Sequence, residues 1–171
     1  VLEKHPHVYV VSDEIYEHIN FSGTFCSIAS IPGMLERTIT VNGVAKAFAM
    51  TGWRIGYIGA PEFIAKACTK IQGQVTSGAN SIAQRATITA IEADPSVLNE
   101  MVAAFKNRRD LVVGLVNQIP GFKLNVPEGA FYVFPDVSSF FGKTIKGQFI
   151  KDATDFSMFL LAEANVATVT G

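Results

Sequence analysis

Residues Thr38 to Ala60 read TITVNGVAKAFAMTGWRIGYIGA, and the rest of the chain is read outward from them. The β-branched run Thr38, Ile39, Thr40 and Val41 predicts a strand that reaches the turn dipeptide Asn42-Gly43. Ile55 to Ala60 predicts a second short strand, which Pro61 separates from a helix. Between the two lies a loop with one lysine, Lys46, among Ala45, Ala47, Phe48, Ala49, Met50 and Trp53. An amine in apolar company is a candidate nucleophile, because desolvation disfavours the ammonium form. Arg54 follows eight positions on, just after Gly52-Trp53, and a guanidinium beside an open turn suits a phosphate. Taken singly, each reads first as an ordinary surface cation, as most Lys and Arg are.

Upstream, His7 to Val11 (HVYVV) has the continuous apolar pattern of a strand buried on both faces of a parallel sheet. Ser12 and Asp13 stand at its carboxyl end, where open α/β sheets place their ligands. Asp13 and Tyr16 are three apart, so one helical turn brings both to the same side. On these grounds Asp13 is either a helix cap or a site carboxylate.

Downstream, Phe63, Ile64, Ala67, Cys68 and Ile71 recur at helical spacing and predict a helix with one buried face. Gln72 to Asn80 (QGQVTSGAN) reads as a polar connector. From Ser81 a helix apolar nearly all round, and therefore buried, runs to Asp94-Pro95-Ser96. Val97 to Ile119 predicts a long helix whose KNRRD segment, Lys106 to Asp110, is a solvated face. After Pro120-Gly121, strands are expected at Phe122–Val126 and Gly129–Val133. Ser138 to Lys151 is expected to be the least structured stretch, followed by a helix over Asp155–Ala164 and a strand over Val166–Thr170. Strands alternating with helices, then a smaller mixed unit, predict an α/β fold with a second α+β domain.

The 171 residues are 49% hydrophobic and 17% charged, with a formal net charge of −1, enough for a sizeable core. Near-neutral charge without a basic stripe gives no electrostatic case for nucleic acid or an anionic membrane. Cys26 and Cys68 lack the spacing of metal ligands and read as reduced, half-buried thiols of a cytoplasmic protein. No run approaches the roughly 20 apolar residues that span a bilayer. The chain opens on Val1 and stops at Gly171 directly after a strand-like run, which reads as an internal piece of a longer protein.

The string KAFAMTGWRIGY resembles, nearly letter for letter, the cofactor-lysine segment of class I (fold-type I) aminotransferases, the pyridoxal-phosphate enzymes that include aspartate aminotransferase. The resemblance covers essentially the whole chain. It implies residues 1–96 as the later part of the large cofactor domain (mainly parallel sheet with helices), 97–119 as a linking helix, and 120–171 as part of the small C-terminal domain. It implies further that Lys46 forms the Schiff base with pyridoxal 5'-phosphate, and that Arg54 holds the phosphate. Asp13 would sit on the pyridine nitrogen and Tyr16 on the ring oxygen. Many relatives carry a serine just before the lysine, where Ala45 stands here, so one phosphate contact is absent or comes from elsewhere. Gly129-Ala130-Phe131-Tyr132 resembles a strand motif at the mouth of the substrate cleft, although Phe131 serves equally well as core. The loop holding Thr76, Ser77 and Asn80 would approach the neighbouring subunit of a homodimer. Relatives usually carry a proline where Thr170 stands. The expected activity is transamination between an aspartate-like α-amino acid and a 2-oxo acid by the complete protein, the piece alone being inactive. Two rival classes stand beside it, the sensor domains of aminotransferase-like transcription regulators and a piece that is only a folded, non-enzymatic fragment; within the enzymes, lyases and decarboxylases of the same fold share the lysine.

Overall fold

The structure, a computed structural model, describes residues 1–171 and divides into two compact units. The first comprises Val1–Lys106 together with Glu128–Ala130. Its sheet has three strands, β1 (Val10–Asp13), β2 (Thr38–Asn42) and β3 (Tyr57–Gly59), with β2 in the centre. β1 runs parallel to β2, pairing Val10 with Thr38 and Asp13 with Val41. β3 returns antiparallel, pairing Thr40 with Gly59 and Asn42 with Tyr57. The pairings are thus one of each kind, where a mainly parallel sheet was expected. β2 and β3 form where their β-branched and apolar runs predict. β1 lies later than the expected His7–Val11 because Pro6 and a turn closed by Val8 N donating to His5 O (3.1 Å) occupy the earlier residues.

The Arg37 guanidinium holds the N-terminal segment, donating to the carbonyls of His5 and Leu2 at 2.8 Å each. Thr38 is buried, and its hydroxyl donates to Met34 O at 2.7 Å, which satisfies the one polar atom it takes into the core. Helix α1 (Glu62–Val75) follows Pro61 and runs four residues into the expected connector. Helix α2 (Ser81–Ile91) starts at Asn80, whose side-chain oxygen accepts from Ile82 N and Ala83 N. Neither helix is buried as its pattern predicts. No residue of α1 is buried, Ile71 is 64% and Ile82 70% exposed, and in α2 only Ala83 and Thr87 are covered. The apolar spacing is present, but these 171 residues cover little of it beyond an edge-on contact of Phe63 with Tyr9 at 5.9 Å. Cys26 and Cys68 are likewise exposed rather than half-buried, and both are free thiols. The expected 97–119 helix is a 3-10 turn at Pro95–Leu98 followed by α3 (Asn99–Val116). No helix is long and apolar enough to cross a membrane.

The second unit comprises Asn107–Pro127 and Phe131–Gly171. Within it the KNRRD face is not wholly solvated: the Arg109 guanidinium donates to Pro127 O and to Asp110 Oδ1, with its side chain only 13% exposed. The core is Ile150, Phe156 and Phe159, with Phe122, Val137 and Phe140 packed against them. Phe140 stacks on Phe156 at 4.9 Å between centroids, and Phe122 meets both rings edge-on. Regular structure appears where little was expected: β4 (Lys143–Ile145) and β5 (Gln148–Ile150) form a hairpin. Its two-residue turn, Lys146-Gly147, has positive φ at both positions, as the twist of a tight hairpin requires. The strands expected at 122–126 and 129–133 are absent. Phe122 goes to the aromatic cluster, and only isolated bridges remain, Lys123 with Asp136 and Gly129 with Asn20. Helix α4 (Ala153–Ala164) is capped by the Asp152 carboxylate and stopped by Asn165 in the left-handed region. Val166–Thr170 forms no ladder, since no strand in this chain pairs with it.

Candidate active site

The candidate residues come off the carboxyl ends of β1 and β2. Asp13 lies opposite Val41 in the ladder, and the next amide, Glu14 N, donates to Val41 O at 2.8 Å. The exposed Asp13 carboxylate accepts from Ile15 N at 3.3 Å and so opens a turn, although no α-helix follows for it to cap. Glu17 N donating to Glu14 O and Ile19 N donating to Tyr16 O continue that turn. Tyr16, half-buried, lines an open cleft of about 280 Å³ together with Asp13, Glu14, Glu17 and Asn20. The far wall of this cleft is Glu128–Ala130, joined to residues 19–21 by a bridge between Asn20 and Gly129. Two amide hydrogen bonds of 2.7 Å, Phe21 N to Glu128 O and Ala130 N to Ile19 O, flank that bridge.

Lys46 is half-buried in a helical turn after β2, where Phe48 N donates to Val44 O and Ala49 N to Lys46 O. Val44 and Ala47 are buried and anchor this turn. Gly43 explains how three segments close here. A Cβ on it would lie 3.2 Å from Gly56 Cα, from Ile55 O and from the Ile15 side chain. Arg54 follows a 3-10 turn at Thr51–Trp53 and, like Ala49, is left-handed (φ 53°, ψ 52°). Its guanidinium donates to Thr51 O at 2.9 Å and is otherwise exposed, beside Trp53 and Asn80 in a second cleft. Asp13 and Tyr16 thus share one cleft, Arg54 lines another, and Lys46 lines neither.

Three polar residues that the sequence left unmarked tie these segments together. Glu14 is buried, and its Oε1 accepts from the hydroxyls of Ser12 (3.0 Å) and Ser27 (2.7 Å). Glu17 Oε1 accepts from Asn42 Nδ2 at 2.8 Å and lies 3.3 Å from His18 Nε2. The His18 ring meets Phe48 edge-on, with centroids 5.9 Å apart. Tyr57, opposite Asn42, has its phenol pushed above its ordinary value, first by burial and then by the charge of Glu17. Asn42 reads in sequence as turn chemistry only, and nothing in DEIYE separates the three acids by role. Of the connector residues, Asn80 is the α2 cap, Thr76 accepts from the Gln72 amide and Ser77 is left-handed. Phe131 lies partly exposed against Tyr132, with ring centroids 4.9 Å apart.

Taken singly, a carboxylate, a phenol, an amine and a guanidinium have the chemistry to meet a protonated ring nitrogen, a ring oxygen, an aldehyde and a phosphate. The chain is 47% identical over 176 residues to the bifunctional aspartate aminotransferase and glutamate/aspartate-prephenate aminotransferase of Petunia hybrida. That match covers 100% of this chain and 37% of the petunia protein. The crystal structure of an aspartate aminotransferase from Rhizobium meliloti superposes with a TM-score of 0.90 at 47% identity, over 98% of this chain and 43% of that one. The aromatic aminotransferase from Pyrococcus horikoshii OT3 gives 0.85 at 37% identity, over 99% and 43%. The chain therefore spans roughly two-fifths of the length of such relatives. A family model described as aminotransferase class I and II matches residues 1–171, from the first residue to the last, and the chain belongs to that family.

Proposed function

We propose that the complete protein carrying this chain is a pyridoxal-phosphate aminotransferase that exchanges an amino group between an aspartate-like α-amino acid and a 2-oxo acid. The substrate class follows that of the relatives, which are aspartate and aspartate/prephenate aminotransferases. The observation that carries the reading is the parallel β1–β2 register. It sets Asp13 beside Val41, five residues before Lys46, and Gly43 lets the two following segments touch. The donor set fits the cofactor: an exposed anion, a phenol in the same cleft, an amine in a turn anchored by buried Val44 and Ala47, and a guanidinium turned outward.

Bound pyridoxal phosphate supplies an electron-withdrawing ring that makes the substrate Cα–H acidic. Lys46 would hold the cofactor through Nζ and, once displaced by the substrate amine, take the Cα proton as general base. Asp13 would keep the ring nitrogen protonated by pairing with it, and Tyr16 would donate its O–H to the ring oxygen. Arg54 would receive the phosphate at an exposed guanidinium that donates to Thr51 O. We read residues 1–96 as the cofactor domain, 97–119 as the link and 120–171 as part of the small domain. We read the working form as a cytoplasmic homodimer, to which the loop of Thr76, Ser77 and Asn80 would contribute. Borohydride reduction of the loaded protein followed by peptide mapping tests the assignment. The adduct is expected on Lys46, and one found only on Lys66, Lys70 or Lys106 would overturn it.

A further inference from the structure

The Glu17 carboxylate stands where the two halves of the candidate site meet. It belongs to the turn that carries Asp13 and Tyr16, lines the same cleft, and is about three-quarters covered. Its Oε1 accepts from Asn42 Nδ2 at 2.8 Å. Asn42 is the last residue of β2, and its own Oδ1 accepts from Gly43 N at 2.7 Å, the amide from which the Lys46 turn departs. The Asn42 side chain is therefore spoken for at both ends, one by each half of the site. A second contact runs beside it, for His18, next to Glu17, sets its ring edge against Phe48, two residues past Lys46. The third contact is the approach of the Ile15 side chain to Gly43, where an added Cβ would lie 3.2 Å from it. Of the three, only the Glu17–Asn42 bond is directional, and a directional bond fixes register where ring and methyl contacts allow sliding.

We propose that Glu17 and Asn42 are positioning residues, whose hydrogen bond sets the Lys46 turn against the Tyr16 turn. This rests on the transamination reading above, since positioning acquires its purpose from the groups positioned. The bond acts through geometry. An amide oxygen at position 17 can accept from Asn42 Nδ2 as the carboxylate does, whereas a methyl cannot.

The test compares Glu17→Ala, Asn42→Ala, the double variant and Glu17→Gln in the complete protein loaded with pyridoxal phosphate. Each alanine variant is expected to lose about tenfold in kcat and to change the absorption spectrum of the bound cofactor, since small misplacements of reacting groups are costly. The double variant should be no worse than either single one, because one bond is lost in all three. Glu17→Gln should recover most of the rate and the parent spectrum. A second measurement needs no cofactor. Amide hydrogen exchange in the unloaded protein should rise together in residues 14–19 and 43–50 of Asn42→Ala, and stay at the parent level in Glu17→Gln. Additive losses, a Gln variant as impaired as the Ala variant, or exchange rising in one segment only would each overturn the inference while leaving the transaminase reading intact. A parent protein that takes up no cofactor would overturn that reading, and this inference with it.

Discussion

Replacing Gly129 by alanine would test how the Glu128–Ala130 segment is held, and the expected cost can be worked from the contacts. A Cβ at position 129 would stand 2.8 Å from Ile19 O, about 0.6 Å inside the 3.4 Å at which ordinary contact begins. The obstacle is a backbone oxygen, so no side-chain rotation relieves it. The same oxygen accepts from Ala130 N at 2.7 Å, and Phe21 N donates to Glu128 O at 2.7 Å one pair away. If the segments part by the deficit, both bonds stretch to about 3.3 Å, beyond the usual range for N–H···O. Each is worth roughly 0.5–1.5 kcal/mol net, so the substitution should loosen this junction by about 2 kcal/mol. At about 1.4 kcal/mol per decade, the amides of Phe21 and Ala130 should exchange with solvent roughly 30-fold faster. Gly78→Ala is the control, since nothing lies within 4 Å of a Cβ there. Exchange-detected mass spectrometry or NMR reads both. Protection at Phe21 and Ala130 unchanged within about twofold would refute the reasoning, as would an equal effect from Gly78→Ala.

Asp13→Asn in the complete protein should retain the cofactor yet lose at least about a hundredfold in kcat. The ring nitrogen would lose its anionic partner, a loss on the order of 3–5 kcal/mol, and steady-state kinetics at saturating cofactor decide it. In the second unit, Phe156→Ala should cost about 3–5 kcal/mol in urea unfolding, because the ring is buried against Phe122, Phe140 and Phe159. Asp152→Ala should cost about 1 kcal/mol by removing the α4 cap from Thr154 N and Asp155 N, read as lost helicity on heating. Asp136 accepts from Ser138 N at 2.8 Å, and hydrogen bonding to Ser138 holds its carboxyl below the ordinary value. A depressed folded value means that its contribution is present above about pH 4 and is lost as pH falls through the folded value. Asp136→Asn should therefore shallow the acid limb of the stability profile, with any loss of stability seen at neutral pH and vanishing as the pH falls below the folded value.

What was legible in the sequence depended on whether the deciding signal was local. β2 and β3 follow from β-branched and apolar runs closed by Asn42-Gly43 and Pro61, signals complete within a few residues. The α1 and α2 patterns gave helices but misjudged burial, since periodicity says which face is apolar and not whether anything covers it. The β4–β5 hairpin escaped because Lys146-Gly147 lacks the Asn-Gly signature, although both residues take the positive φ that such a turn needs. In the candidate site, Lys46, Arg54, Asp13 and Tyr16 stand in a recognisable string and spacing. Glu14, Glu17 and Asn42 act through partners 13 to 25 positions away, and no local pattern announces those.

Ala49 and Arg54 both take the left-handed backbone, on either side of the 3-10 turn at Thr51–Trp53. Side chains enter that region at a cost, with Asn and Asp better tolerated and β-branched residues nearly barred. The two positions would therefore part company under selection. In a library randomised at both and screened for folding alone, survivors should drift at each toward Gly, Asn and Asp. Screened for growth that depends on the enzyme, position 49 should drift in the same way while position 54 stays Arg. The gap between the two surviving alphabets would measure how far a binding requirement outweighs backbone preference at a single residue.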